Sequence, residues 1–352
     1  MKAGLLAGAP ARESWDRWRE TTGGFADDAA RRLLPLVEWN LKRGCAGATE
    51  PGFLENEWIQ SEERVAHAIA VLQDLTDRGL RPVALKGLAL AHLVYPHQAL
   101  RPMGDIDLLV APAEFEPARA ALEHGGWRPV VTEPSSRLRH LHGLAYQKPG
   151  WPEVDLHAHA LLECCSPEAD RGFFARVIEL EISGRRIWTL SPADHLLCIC
   201  VHGLRWSAVP AVYWAADALL LLRRHGAELN WDVLVQEART RDLALPVASA
   251  LRWLRENLDE NVPDRVLADL ARHSRGWLRR WELDARSRPP ALGAGLFLHW
   301  RDLGRERGDS AALKRILIFP RYLRELWGLD RAWKLPLAAA RKSMRRIARR
   351  RR

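Results

Sequence analysis

Hydrophobic and polar positions follow two different periods along the chain, and the change of period divides it into regions. The segment 1–59 mixes apolar positions with glycine-rich breaks, which indicates short helices joined by loops. Between Glu57 and Leu75 the apolar residues recur mostly at helical spacing, and Gly79 ends the pattern. After Ser191, a favourable helix cap that is followed by proline, every apolar segment has a helical period.

Between the two helical regions the chain shows short apolar runs that predict strands. The run at 82–85 is stopped by Lys86-Gly87, as expected of a buried strand that ends in a turn. A helix is predicted over 112–125, and further strands are predicted over 106–110, 141–147 and 154–161. Strands and helices alternating in this way predict a compact layered structure.

The predicted fold class is therefore α+β, a small mixed-sheet domain with a helical N-terminal lead-in and a helical C-terminal domain. The predicted division has four parts: a lead-in at 1–59, the sheet domain at 60–190, a helical domain at 191–330 and a basic tail at 331–352.

Composition and cysteine usage indicate an ordinary globular protein. Hydrophobic residues make up 47% and charged residues 28% of the chain, and no apolar run reaches the roughly 18 residues of a membrane span. The five cysteines are odd in number and lack Cys-x-x-Cys spacing, so buried free thiols are expected rather than disulfides or a zinc site. We expect a soluble protein of the cytoplasm.

The formal net charge of +9 comes from one end of the chain. Ten basic residues and no acid lie between Arg331 and Arg352; without them, 43 basic residues face 44 acidic ones. A tail of this kind can be a solvated terminus, or it can contact a membrane surface or another polyanion weakly. It is therefore weak evidence for a nucleic-acid enzyme.

The sharpest local feature is a pair of carboxylates, Asp105 and Asp107, the first directly before and the second inside the apolar run at 106–110, so that both are set into that predicted strand. Side chains alternate along a strand, so the two carboxylates project from the same face. Two neighbouring carboxylates in an apolar strand repel one another, and a divalent cation between them removes that cost. The pair alone also occurs in calcium loops and in glycosyltransferases that bind a sugar nucleotide.

The surroundings of this pair favour phosphate chemistry. Upstream, the Lys86-Gly87 turn between a strand and a helix offers backbone N–H groups to a phosphate. Downstream, Asp155 supplies a third acid on a neighbouring predicted strand. Nucleotidyl transfer needs cations around a triphosphate and a carboxylate that orients or deprotonates the attacking hydroxyl.

Other polar residues near these motifs have more than one interpretation. Arg101 precedes the carboxylates and is either a phosphate clamp or a solvated loop residue. Asp155, His157 and His159 are two residues apart and would project from one strand face. They could form a three-ligand metal site, or one histidine could hydrogen-bond to a carboxylate and orient it. His140 and His142 alternate near the presumed cleft in the same way. For His195, His202 and Asp217, packing within the helices is the simpler explanation.

Several separated motifs together resemble a known family, the uncharacterised bacterial nucleotidyltransferases of the DNA polymerase beta-like superfamily. The resemblance covers roughly residues 60–260 and rests on motifs that occur in order: Leu85-Lys86-Gly87, Tyr95-Pro96, Arg101-Pro102, Gly104-Asp105-Ile-Asp107-Leu-Leu-Val110, Val154-Asp155-Leu-His157, Leu190-Ser-Pro192, Asp194-His195-Leu-Leu197, Val201-His202-Gly203, Trp214-Ala-Ala-Asp217 and Asn230-Trp-Asp-Val-Leu234.

The resemblance implies that Asp105 and Asp107 bind Mg²⁺, or alternatively Mn²⁺, and that Asp155 is the third ligand and a catalytic carboxylate. Lys86, Gly87 and Arg101 would then bind the nucleotide. The turn departs from the superfamily's usual Gly-Ser or Gly-Gly. Either Lys86 replaces the missing serine as a point charge, or the nucleotide is handled differently.

The expected activity is transfer of a nucleoside monophosphate from an NTP to a hydroxyl or phosphate of an acceptor. A small molecule, peptide or protein acceptor is favoured over nucleic acid, because few cations accompany the carboxylates in sequence. The first alternative is a module that binds nucleotide without catalysis. A glycosyltransferase ranks lower, since it explains neither Lys86-Gly87 nor Asp155.

Overall fold

A seven-stranded mixed sheet lies between residues 83 and 189 of the computed structural model, which describes residues 2–6, 8–24, 26–44, 52–131, 140–207, 212–289, 293–307 and 312–341. Its strands in chain order are β1 (Val83–Ala84), β2 (Asp105–Leu109), β3 (Arg128–Pro129), β4 (Gly143–Gln147), β5 (Glu153–His157), β6 (Ile178–Ile182) and β7 (Arg185–Thr189). The spatial order is β3-β4-β5-β2-β1-β7-β6.

The pairing of β2 with β5 determines which side chains meet. These neighbours are parallel, and Asp107 lies opposite Asp155 in the register. The other parallel pair is β1 with β7, and the remaining pairs are antiparallel. Because side chains alternate along each strand, Asp105, Asp107, Asp155 and His157 all project from one face of the sheet.

Helices precede and interrupt the sheet. Four helices form the N-terminal region: α1 (Lys2–Leu5), α2 (Gly8–Thr22), α3 (Asp28–Gly44) and α4 (Phe53–Asp77). Between strands, the described residues form α5 (Lys86–Leu93), α6 (Phe115–His124) and α7 (Arg171–Ala175). The predicted helix at 112–125 is confirmed as a short 3₁₀ turn, Pro112–Glu114, that leads into α6.

The C-terminal region is helical, as predicted. Its helices are α8 (Pro192–Gly203), α9 (Tyr213–His225), α10 (Trp231–Thr240), α11 (Ala244–Leu258), α12 (Asp264–His273), α13 (Trp277–Ser287), α14 (Ala294–Glu306) and α15 (Ala312–Leu326). Ser191 caps α8, and its side chain accepts a hydrogen bond from the Asp194 N–H. Gly276, at φ +119°, separates α12 from α13.

The hairpin of β6 and β7 was not predicted from the sequence. Its turn consists of Ser183 and Gly184, both at positive φ, which is the backbone pattern of a type I′ hairpin turn. The sequence signal that could have revealed this hairpin is the alternation of apolar and acidic residues in Ile178–Ile182, followed by Ser-Gly.

One apolar core extends through the N-terminal helices, the sheet and the C-terminal helices. It includes Leu33 from α3, Val83 from β1, and Leu197 and Leu219 from the C-terminal region, all buried. A second core packs α4 and α6 on the sheet through residues such as Leu72 and Ile106. The α+β fold is thereby confirmed, while the domain boundaries at 59/60 and 190/191 stay predictions.

Two smaller findings concern membranes and thiols. Among the described residues, no helix combines the length and apolar character needed to cross a membrane. The described cysteines Cys164, Cys165, Cys198 and Cys200 are free, and the first and last of them are buried. Cys45 and the tail beyond Arg341 lie outside the described residues.

Candidate active site

Asp107, Asp155 and His157 form a compact cluster on the sheet. One potential ligand atom from each lies within 4.8 Å of the others. His157 Nε2 lies 3.0 Å from Asp107 Oδ1 and 3.2 Å from Asp155 Oδ2, so the imidazole bridges the two carboxylates. Burial alone would raise the pKa of both aspartates, but the charge of Lys86 and the hydrogen bonds and charge of His157 lower both pKa values. Both carboxylates are therefore charged at neutral pH.

Asp105 shares this face but stands outside the compact cluster. It is the exposed end of β2, at the edge of the same cavity. Partial loss of water around its carboxyl group, together with the nearby charge of Asp107, raises its pKa to about 6. The three carboxylates thus converge on one cavity, with Asp105 at its rim and Asp107 at its base.

Lys86 supplies the positive charge nearest to these carboxylates. Its Nζ lies 2.6 Å from Asp107 Oδ1, and its backbone has φ +41°, a left-handed conformation that is unusual for lysine. Burial favours the neutral amine, but the charges of Asp107, Asp155 and Asp105 outweigh it and raise the pKa of Lys86. The ammonium group thereby balances part of the cluster's negative charge.

Gly87 is required by packing beside this turn. A Cβ at that position would lie 2.9 Å from Met103 Cγ and 3.4 Å from Arg101 Nη1. The sequence suggested that a phosphate could approach the backbone at Gly87. In the structure, the side chains of Met103 and Arg101 lie close to this position. The nucleotide-binding role of Gly87 stays a prediction.

Gly143 is a site residue that the sequence analysis did not identify. It lies opposite His157 in the β4–β5 register, where a Cβ would be 2.8 Å from Leu156 O and 3.1 Å from His157 Nδ1. The absent side chain leaves room for the imidazole that bridges Asp107 and Asp155. A glycine within an apolar strand, opposite a histidine, is the signal for such close packing.

Arg101 is engaged by an aspartate of the C-terminal helices. Its guanidinium donates two hydrogen bonds, both of 3.0 Å, to the carboxylate of Asp217, which also accepts one from the Tyr95 hydroxyl at 2.7 Å. The guanidinium also stacks over the ring of Tyr213, 4.6 Å from its centroid. The solvated-loop interpretation of Arg101 is wrong, since the side chain is largely buried. Its phosphate role stays a prediction.

The opposite wall of the cavity comes from α8 and α9. Trp214 on α9 packs against Gly203, where a Cβ would overlap the indole, and its ring lies 5.1 Å from that of Trp253 at a tilted angle. His202 also lines this wall, and burial lowers its pKa to about 4. His142 lines the cavity beside His157, and burial together with that neighbour lowers its pKa to about 3. Both imidazoles are neutral at pH 7.

The remaining histidines have other partners. His159 lies 3.6 Å from Asp170, so Asp155, His157 and His159 do not form a three-ligand metal site. His140 lies 3.4 Å from both Glu306 and Glu325, away from the cluster. His195 lines the cavity, and its Nε2 lies 2.8 Å from the Thr189 hydroxyl.

A cavity of about 380 Å³ lies between the carboxylate face of the sheet and the C-terminal helices. Its lining includes the sequence-predicted Lys86, Gly87, Arg101, Asp105, Asp107 and Asp155. The oxygen donors of the three aspartates match the preferences of a hard divalent cation, and an ammonium group already neutralises part of their charge. The donor set therefore fits a metal-assisted reaction of phosphates.

A mixed sheet with carboxylates on adjacent parallel strands, facing a helical wall, is the arrangement expected of a nucleotidyltransferase. The sequence profile described as "Uncharacterised nucleotidyltransferase" matches residues 32–259, and the chain belongs to this family. The resemblance to an uncharacterised nucleotidyltransferase family, inferred from the motifs, is confirmed.

Solved structures similar to the chain include the antibiotic-resistance factor ANT(2'')-Ia, at 18% identity and a TM-score of 0.35, covering 56% of this chain and 95% of that chain. Another is an antigenic nucleotidyltransferase-like protein from Paracoccidioides brasiliensis, at 16% identity and a TM-score of 0.38, covering 60% and 94%. A comparison with curated protein sequences gives no match.

Proposed function

We propose that this nucleotidyltransferase transfers a nucleoside monophosphate from an NTP to a hydroxyl or phosphate of an acceptor, with Mg²⁺ as the metal. The observation that carries the proposal is the register of β2 and β5, which places Asp107 opposite Asp155 with Asp105 on the same face. Asp105, Asp107 and Asp155 would hold the cation. When bound, it would neutralise charge on the triphosphate.

The residues of the chain supply the other requirements of the reaction. The carboxylate of Asp155 is only partly buried, so it can accept a hydrogen bond from an acceptor hydroxyl and orient it. His157 fixes the orientation of both aspartates and is itself held in place by close packing against Gly143. Lys86, next to Asp107, provides a positive charge where the triphosphate would lie.

The test is a double substitution, Asp105→Asn with Asp107→Asn, assayed for magnesium-dependent release of pyrophosphate from each NTP. We expect turnover to fall by at least about a thousandfold, because the metal-binding charge is removed. The matched control is Glu179→Gln with Glu181→Gln, which changes two exposed acids at the same spacing on β6. Full turnover in the Asp105/Asp107 variant, with folding intact, would reject the proposal.

A second candidate function is nucleotide binding without catalysis, in a module that recognises a partner. The observation that favours it is that Lys86 Nζ and His157 Nε2 both contact Asp107 Oδ1, an oxygen that a metal would need. Calorimetry with ATP, CTP, GTP and UTP, with and without magnesium, separates the two functions. Nucleotide binding without any pyrophosphate release, whatever acceptor is offered, would support the binding module.

The acceptor that we propose is a small molecule, a peptide or a protein in the cytoplasm. Apolar and neutral polar side chains, such as Leu161, Trp214 and His202, dominate the wall facing the carboxylates. A nucleic-acid acceptor would require cations along the cleft for its backbone. We therefore expect tRNA to compete poorly with small hydroxyl compounds.

A further inference from the structure

Four cationic side chains line the cavity in the described part of the chain, and three are committed to carboxylates. Lys86 pairs with Asp107 at 2.6 Å, and Arg101 pairs with Asp217 at 3.0 Å. Arg205 holds the buried Glu163 through three hydrogen bonds of 2.8 to 3.2 Å. Each of these cations already has an internal counter-charge, so an anionic substrate gains less from it.

Arg32 is the fourth cation and has no such commitment. Its side chain is exposed and lines the cavity, with no ion pair or side-chain hydrogen bond to any described residue. It comes from α3, in the N-terminal helical region, and not from the sheet or from the helices beyond it. Its guanidinium is therefore available to a ligand.

The backbone that carries Arg32 is tied to the cavity wall. The Tyr213 hydroxyl donates a hydrogen bond to the Arg32 carbonyl oxygen, and the Tyr213 ring lies beneath the Arg101 guanidinium. The neighbouring Leu33 is buried in the apolar core that also contains residues of the sheet and of α8. Packing thus fixes the backbone of Arg32 at the cavity, while its guanidinium has no ion pair with a described residue.

We propose that Arg32 binds a phosphate group of the substrate in this cavity, a role that rests on the proposed function. A guanidinium matches phosphate oxygens with two parallel hydrogen bonds. The turn at Lys86-Gly87 offers no hydroxyl, and Met103 lies close to Gly87. The N-terminal region therefore completes the site by supplying a phosphate-binding donor, because the turn has no hydroxyl and its Lys86 is already paired with Asp107.

The phosphate has two possible sources, the triphosphate of the nucleotide or a phosphate on the acceptor. Full-length Arg32→Ala and Arg32→Lys are compared with the matched control Arg31→Ala. Arg31 is an exposed neighbour on α3 outside the cavity lining, and it donates to the Ala26 carbonyl oxygen. Calorimetry measures binding of inorganic pyrophosphate and inorganic phosphate, and steady-state kinetics separate KM for NTP from kcat.

For a nucleotide phosphate, Arg32→Ala should weaken pyrophosphate binding by about tenfold or more and raise KM for NTP similarly, with a smaller change in kcat. For an acceptor phosphate, binding of inorganic phosphate at saturating NTP is lost while KM for NTP is unchanged. In either case Arg32→Lys should be intermediate and Arg31→Ala should stay within about twofold.

Pyrophosphate, phosphate and NTP parameters equal to wild type in Arg32→Ala would overturn the phosphate site at Arg32. Turnover in the wild type would then still support the proposed function. Turnover that survives Asp105→Asn with Asp107→Asn would instead reject the function, so the two failures are distinguishable.

Discussion

Arg101 and Asp217 are 116 residues apart in sequence and form a bidentate ion pair that is largely buried. Arg101 belongs to the segment that enters β2, and Asp217 belongs to α9 on the opposite wall. The pair therefore fixes the carboxylate strand relative to the helices that face it. The sequence indicates a packing role for Asp217, and its contacts with Arg101 and Tyr95 give that packing a defined partner.

Replacing Asp217 with alanine should destabilise the protein strongly. The substitution leaves the Arg101 guanidinium without its counter-charge in a buried place, which costs about 3 kcal/mol or more. Urea unfolding measures the change in the free energy of unfolding. The control is Asp232→Ala, which breaks the exposed pair with Arg265 and should cost under about 1 kcal/mol. Equal losses in both variants would contradict the prediction.

Gly203→Ala should also destabilise the protein, by about 1 to 3 kcal/mol, because the new methyl group would overlap the Trp214 indole. Thermal unfolding measures the loss. The loss caused by Gly203→Ala should be smaller in a Trp214→Ala background, since the overlapping ring is then gone. Gly104→Ala is the control, because a Cβ at that position would meet no atom within 4 Å and the backbone φ is ordinary. A normal melting temperature for Gly203→Ala would show that the indole moves aside freely.

Glu163 should make the protein sensitive to acid. Burial would raise its pKa, but Arg205 and Arg286 lower it to about 2, below its ordinary value of 4.5. Since the folded state holds the carboxylate charged, this stability is fully present above about pH 4.5 and is lost as the pH falls towards 2. Such a shift corresponds to stability on the order of 3 kcal/mol.

The measurement for Glu163 is the free energy of unfolding of wild type and Glu163→Gln between pH 7 and pH 2.5. The difference between the two proteins should be large at pH 7 and shrink steadily below pH 4.5. Glu168→Gln, at an exposed position in the same loop, should follow the wild-type profile. A constant difference across the whole range would show that Glu163 does not titrate as described.

Deleting Arg341 to Arg352 should leave NTP turnover unchanged, because every described residue that lines the cavity lies between residues 32 and 217. The truncated protein should bind anionic vesicles and tRNA more weakly at low salt, since ten basic residues lie in the last stretch of the chain. Turnover and vesicle sedimentation are measured side by side. Loss of turnover on truncation would place the tail in the active site.

The sequence predicted the arrangement of the acidic residues because it depends on local periods. The alternation along a strand places Asp105 and Asp107 on one face, and the structure has them so on β2. The sequence placed Asp155 on a neighbouring predicted strand, but that it lies opposite Asp107 depends on strand order and register, which the sequence did not give. Their roles as metal ligands stay predictions, together with the nucleotide-binding roles of Lys86, Gly87 and Arg101.

Contacts between distant segments could not be predicted in the same way. The pairing of Arg101 with Asp217 and the contact of Gly203 with Trp214 join residues whose spacing follows no helical or strand period. Arg32 escaped notice for a related reason, since it is one arginine among many in a helical segment. Only packing of α3 against the cavity wall distinguishes it from its neighbour Arg31.

The apolar core shared by α3, β1 and α8 has a consequence for how the protein can be divided. A fragment ending at residue 190 would expose Val83, Leu85 and Leu109, which now pack in one core with Leu197 and Leu219. Each large side chain returned to water costs roughly 1.5 to 3 kcal/mol, so a few exceed the stability of a typical domain. The three aspartates of the cavity therefore belong to a single folding unit, and the sheet cannot be moved to another protein without its flanking helices.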